Sequence, residues 1–154
     1  MRRKIIAITS ISLVTATIAF AGGHSGDPAV NARNAHMGLY SFNIGLLGDM
    51  AKGTIDYDAS LASVAANNLA ALAALDQSSY WTEGTEQGAA PGSRAKAEIW
   101  SDAAGWAEKM QMMEDGSAAL AAVAGDGLDA LRGGMGDAGA ACGACHKAYR
   151  GPRN

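Results

Sequence analysis

The 154-residue chain has only two cysteines, three apart, with a histidine directly behind them: Cys142-Gly143-Ala144-Cys145-His146. On a helix, positions i, i+3 and i+4 share one face, so this spacing offers two thiols and an imidazole to the same neighbour. Two thiols so placed can add to the two vinyl groups on a porphyrin edge while the imidazole reaches the iron. That is the C-x-x-C-H pattern of covalent haem attachment. A redox dithiol, half a zinc site or a simple disulfide would use the same pair, and each fits worse. A thioredoxin-like dithiol belongs beside a βαβ pattern that is absent here. A structural zinc site wants four ligands, and His24 and His36 lie over a hundred residues away.

The elements that must carry this group read as helices. The chain is rich in alanine, has three prolines and almost no alternating β-branched segment, so an all-α fold is expected. The first helix should open at Asp27-Pro28, a capping residue followed by proline at the first helical position, and fade near Gly53. Its stripe is Val30, Arg33, Met37, Tyr40, Ile44 and Leu47. A second helix follows the Asp56–Asp58 cluster, with Leu61, Val64, Asn68, Leu72 and Leu75 on one face, ending before Ser78-Ser79.

Residues 78–92 have loop composition, yet Tyr80 and Trp81 within them should fold back over something. Ser93 is expected to cap a third helix bearing Ile99, Ala103, Trp106, Met110 and Met113 and continuing towards Ala124. After the Gly125-Asp126-Gly127 break, a last helix presents Leu128, Leu131, Met135, Ala138, Cys142, Cys145 and Tyr149. The pattern describes an antiparallel up-down-up-down four-helix bundle with mostly short connections. The last helix holds Gly133, Gly134, Gly136, Gly139 and Gly143, each costing about 1 kcal/mol relative to alanine. A large flat apolar group approaching the backbone closely would offset that cost.

Residues 1–21 read as a cleaved signal peptide: Arg2-Arg3-Lys4, an apolar run from Ile5 to Phe20, and the A-x-A pattern Ala19-Phe20-Ala21. Export to the periplasm is expected, with no membrane attachment after cleavage. Residues 22–154 then form one domain. They hold nine basic and fifteen acidic side chains, a formal charge of −6, which argues against nucleic acid or an anionic membrane as partner. Arg132, Lys147, Arg150 and Arg153 allow a local basic rim near the cysteines.

The region around the attachment motif resembles the cytochromes c′, the class II c-type cytochromes, and the resemblance covers essentially the whole mature chain. It rests on the attachment site near the C-terminus, extended through His146-Lys147-Ala148-Tyr149-Arg150, and on Arg33-x-x-x-Met37 in the first helix. Glu83-Gly84-Thr85 and Ile99-Trp100-Ser101-Asp102 ahead of Trp106 add to it. It implies one haem c, covalently attached, with His146 as the fifth iron ligand and Arg150 beside the imidazole. Arg33 would pair with a haem propionate. Met37 would stand on the distal side, and Trp81, Trp106, Met110 and Met113 would line the pocket. His36, about 100° from Met37 around the helix, reads as a surface residue, and His24 is given no role.

Low-spin class II relatives use a first-helix methionine as sixth ligand, whereas cytochromes c′ place an apolar residue, sometimes methionine, that only blocks the site. Glu83-Gly84-Thr85 and Ile99-Trp100-Ser101-Asp102 favour the second form: a five-coordinate, high-spin haem that binds NO or CO, with no distal hydrogen-bond donor for oxygen. The alternative is a His146/Met37 electron carrier serving a redox partner protein. An enzyme such as a peroxidase has little support, because no histidine or carboxylate lies one turn from Met37 on its face. Leu39, Ile44, Leu46 and Leu47 spread beyond one stripe, and cytochromes c′ are commonly dimers, so a homodimer is expected.

Overall fold

The structure, a computed structural model, describes residues 26–153; the expected leader and His24 lie outside them. Five helices occur in the order α1 (Pro28–Lys52), α2 (Ala59–Ala73), the short α3 (Glu98–Ser101), α4 (Ala103–Val123) and α5 (Leu128–Tyr149). α1, α2, α4 and α5 form the antiparallel bundle, each packed on the next and α5 returning to α1. No helix among the described residues is long and apolar enough to cross a membrane.

Local chemistry sets the helix ends. The Asp27 carboxylate accepts from the N–H groups of Ala29 and Val30 at 2.8 and 3.1 Å, with Pro28 at the first position. Gly53 stops α1 in the left-handed region at φ 75°, its N–H bonded to the Asp49 and Met50 carbonyls. Asp58 caps α2 through the Leu61 N–H at 2.8 Å. The turn from α4 to α5 is clamped by Tyr57, whose hydroxyl donates to the Ala124 carbonyl at 2.9 Å and accepts from the Gly127 N–H at 3.0 Å. The Arg132 Nε donates to the Ala51 carbonyl at 2.8 Å, tying the start of α5 to the end of α1.

The core is built from Leu47, Met50, Leu69, Leu120 and Leu131 with a bed of alanines, including Ala62, Ala65, Ala66 and Ala138. Each fully buried large side chain contributes about 1.5–3 kcal/mol. Here the second expected stripe fails. α2 buries Ala62, Ala65, Ala66, Leu69 and Ala73, while Leu61, Val64 and Leu75 are exposed. The alanine face lets the helices approach, and the larger side chains are turned outward.

A further expectation is corrected. The third helix does not start at Ser93: residues 93–97 are irregular, α3 makes one turn, and Asp102 breaks it and caps α4 by accepting from the Gly105 N–H at 3.1 Å. The connection between α2 and α4 is therefore long. One glycine of α5 has a packing role between helices. A Cβ on Gly134 would press on Leu120 and Val123, so that glycine seats α5 against α4; Gly133, Gly136, Gly139 and Gly143 have open space before them. Across the same contact, Gly116 of α4 would bring a Cβ to 3.2 Å from the Ala138 backbone.

Candidate functional site

A cavity of 390 Å³ opens between α1, α4, the C-terminal half of α5 and the long α2–α4 connection, within the size range of small-molecule and cofactor sites. It gathers Arg33 and Met37 from α1, Trp81 from the connection, Trp106, Met110 and Met113 from α4, and Cys142, Cys145, His146 and Arg150 from the end of α5. These ten residues, scattered over 118 positions of sequence from Arg33 to Arg150, line one space. Cys142 Sγ lies 3.7 Å from Met113 Sδ, and neither cysteine is in a disulfide among the described residues.

The connection is held over the cavity from both sides. Arg33, 4% exposed, donates from Nη1 to the Tyr80 carbonyl and Thr85 Oγ1 at 3.0 and 2.7 Å. Its Nη2 donates to the Thr85 carbonyl and Ser93 Oγ at 2.8 and 3.0 Å. Ser93, expected as a helix cap, is thus an arginine partner. Gly84, at φ 78°, makes the turn that delivers Thr85. Burial lowers the Arg33 pKa, with Asp27 countering it, and a guanidinium still stays charged. It sits 5.2 Å over the Trp81 ring.

From the other side, the Lys96 N–H donates to the Tyr149 carbonyl at 2.9 Å, and the Gly151 N–H to the Arg94 carbonyl at 2.7 Å. Trp100 Nε1 donates to the Trp81 carbonyl at 2.8 Å. The aromatics of the connection do fold back: Trp81 meets Trp106 edge-on at 4.6 Å, and Trp106 meets Tyr149 at 5.3 Å. The Tyr149 hydroxyl donates to the Asp102 carboxylate at 2.8 Å.

Electrostatics suit the imidazole to iron. Burial first, then the positive charges of Arg150 and Arg94, lower the His146 pKa, favouring the neutral ring that binds metals. Burial raises both thiols, Cys145 to about 11 with Cys142 adding to the shift, so they are protonated at neutral pH. Trp81 Nε1 is buried without a hydrogen-bond partner among the described residues, beside Arg33. Two unoxidised thiols, a neutral imidazole and aromatic walls around one cavity, with an orphaned indole N–H beside it, fit a haem with thioether links and a polar edge.

Residues 28–150 match the family described as Cytochrome C'. The chain belongs to the cytochrome c′ family. It is a c-type cytochrome, and its cofactor is one covalently attached haem c with iron. Cytochrome c-554 of Cereibacter sphaeroides is 40% identical over 121 residues, which cover 79% of each chain. The solved cytochrome c′ from Rhodobacter Spheriodes superposes with a TM-score of 0.79 at 36% identity, over 81% of this chain and 96% of that one. Two structures of the Alcaligenes xylosoxidans cytochrome c′, one a ferrous variant with bound NO and one a variant with bound carbon monoxide, each reach a TM-score of 0.70. Their identities are 36% and 38%, covering 81% and 80% of this chain and 94% of theirs.

One sequence expectation about this cytochrome needs correction. His36 is not a surface residue: it is 5% exposed, packed edge-on against Tyr40 at 4.7 Å and facing Tyr80 at 5.9 Å. The connection after α2 covers the side of α1 that helical geometry alone leaves open. Tyr40 and Gln77 line the cavity together with Met37. Sequence reasoning missed Gln77, Arg94 and Lys109, which line the same space. Gln77 and Arg94 lie outside the regular helices, where periodicity says nothing. The position of Tyr40 one turn after Met37 was the available signal for that side chain.

Proposed function

We propose that Cys142 and Cys145 hold the haem through thioether bonds, that His146 is the fifth ligand, and that Met37 stands over the sixth position without binding it. The observation that carries this reading is the convergence of both thiols, the imidazole and Met37 on one cavity. Each thiol adds across a vinyl double bond, sulfur to one carbon and hydrogen to the other, with no leaving group. The haem iron, when bound, supplies a site for diatomic gases and a one-electron ferrous/ferric couple.

The chain does the rest. Burial, then Arg150 and Arg94, keep His146 neutral, Arg33 and Trp81 offer N–H groups to the propionate edge, and the tryptophans and Met110 and Met113 exclude water. Arg33 has its terminal nitrogens engaged with the connection, so its share in binding a propionate falls to Nε or needs a loop contact exchanged. The gas-bound forms of the Alcaligenes xylosoxidans relative support NO and CO as ligands of this periplasmic, exported protein.

Absorption and spin-resonance spectra of the purified protein test the assignment. A five-coordinate, high-spin ferrous haem is expected. A six-coordinate, low-spin spectrum that turns high-spin in Met37→Leu would establish the second reading, a His146/Met37 electron carrier, which is favoured by the half-buried Met37 lining the same cavity as His146.

The same proposal includes a homodimer. Leu39 and Phe42 of α1 and Leu61 and Val64 of α2 are 42–70% exposed, an apolar surface of the kind that marks an interface. A second copy is its occupant, and sedimentation at micromolar concentration should give a dimer; a monomer would count against it.

A further inference from the structure

The outward face of α2 carries no charge. α2 holds no Asp, Glu, Lys or Arg over its whole length, and α1 holds none from residue 34 to residue 48. In a domain with fifteen acidic and nine basic side chains, such a face is where two copies can approach with least repulsion. Along it run Leu61, Val64, Asn68, Ala71 and, just past the helix end, Leu75, all of them exposed. Their alternating steps of three and four residues are those of a helix–helix seam.

One member of this seam is polar, and it is held in place. Asn68 Nδ2 donates to Asn43 Oδ1 at 3.1 Å, and Asn43 Nδ2 donates in turn to the Leu39 carbonyl at 2.8 Å. Asn43 is buried, so it braces the Asn68 carboxamide from below. The Asn68 oxygen accepts no hydrogen bond among the described residues, and the amide nitrogen has a second hydrogen to donate. Leu39 and Phe42, on the turn that leads into Asn43, are themselves exposed.

The stripe reads nearly alike in both directions from Asn68. Leu61 and Leu75 lie seven positions to either side, with Val64 and Ala71 between. A two-fold axis through Asn68, perpendicular to the helix, sets Leu61 of one copy against Leu75 of the other and brings Asn68 against itself. The acids that bound the face select this antiparallel arrangement. Exposed Asp58 and Asp76 would each meet a like charge in a parallel pair, whereas the antiparallel pair sets Asp58 near Ser78 and Asp76 near Ser60.

We propose that two copies pair α2 against α2 antiparallel, the two Asn68 carboxamides exchanging N–H···O bonds on the two-fold axis, and that this polar pair fixes the register of the homodimer. A single asparagine in an apolar seam acts this way because any shifted pairing would bury it against hydrocarbon. The inference rests on the homodimer proposed above and adds to it the axis, the direction and the residue that sets both.

Cysteine cross-linking of the holoprotein, whose own two thiols are taken up by the haem, tests the register. Helices packed about 8–10 Å apart bring facing Cα atoms to about 5 Å, within the span of about 4.4–6.8 Å that a disulfide bridges. Asn68→Cys should therefore give a covalent dimer on mild oxidation, read by non-reducing electrophoresis. Leu61→Cys alone should not, because its two copies would lie about 21 Å apart at about 1.5 Å per residue; combined with Leu75→Cys it should. Asn68→Asp, which sets two carboxylates on the axis, should weaken the dimer at least about tenfold in sedimentation and leave the haem spectrum unchanged. A dimeric parent in which Asn68→Cys does not cross-link, Leu61→Cys cross-links alone, or Asn68→Asp dimerises as tightly as before overturns the register and leaves the homodimer standing. A parent that sediments as a monomer leaves this face to some other partner and overturns the homodimer and the register together.

Discussion

Replacing Arg33 by leucine should loosen the roof of the haem cavity before it unfolds the bundle. The substitution removes four hydrogen bonds, but their acceptors do not suffer equally. Thr85 Oγ1 still donates to the Thr82 carbonyl at 2.6 Å, and Ser93 Oγ still accepts from the Ala95 N–H at 3.3 Å. The carbonyls of Tyr80 and Thr85 lose the guanidinium. Each buried group left unpaired costs about 1–3 kcal/mol, giving a loss of about 2–6 kcal/mol, less the relief from no longer burying a charge.

For a domain of this size that is a fall in Tm of about 5–15 °C. The measurement is thermal and urea unfolding of the holoprotein by circular dichroism, paired with limited proteolysis between residues 78 and 93. Arg33→Lys keeps the charge but lacks the fork, so it should recover only part of the loss. Stability within about 0.5 kcal/mol of the parent, the scale of an ordinary surface change, together with an unaltered cleavage pattern, would refute the anchoring role.

Three other outcomes follow from the geometry. Tyr57→Phe should cost about 1–3 kcal/mol and speed hydrogen exchange at the Gly127 amide, since one hydroxyl serves both ends of the α4–α5 turn; unchanged exchange would show the clamp to be idle. Gly105→Ala should destabilise by about 1–2 kcal/mol despite the helix preference of alanine. The new Cβ would collide with the Asp102 carboxylate and the Tyr149 hydroxyl, and a gain in Tm would contradict this. The Asp102 carboxyl is held below its ordinary pKa, first by the Tyr149 hydroxyl and then by the Gly105 N–H. Its contribution is therefore complete above the unfolded carboxylate value of about 3.9 and lost as pH falls through the lower folded value. Acid titration should cost the parent more stability than Asp102→Asn below about pH 4, and parallel curves would rule the linkage out.

Much of this was legible in the residues alone. Asp27-Pro28 and Gly53 mark the ends of α1 because capping and left-handed backbone are local demands, and the C-x-x-C-H spacing states its chemistry without help from the fold. The ten residues assigned to the cavity from the motif and the resemblance do line one space. The face of α2 was misread because periodicity weighs large apolar side chains, whereas this bundle packs on alanine and leaves Leu61 and Val64 outside. His36 was misread because the 77–93 segment, which has no period, covers it. Ser93 and Asp102 both look like helix caps; only long-range contacts decide that the first serves Arg33 and the second starts α4.

The bonds that fasten the roof join distant stretches of chain. Arg94 and Lys96 reach carbonyls in residues 148–152, with 52 to 58 positions between partners. The helix end that bears the attachment motif therefore runs straight on into the stretch that fastens the connection, so that an insertion between His146 and Gly151 would displace both at once.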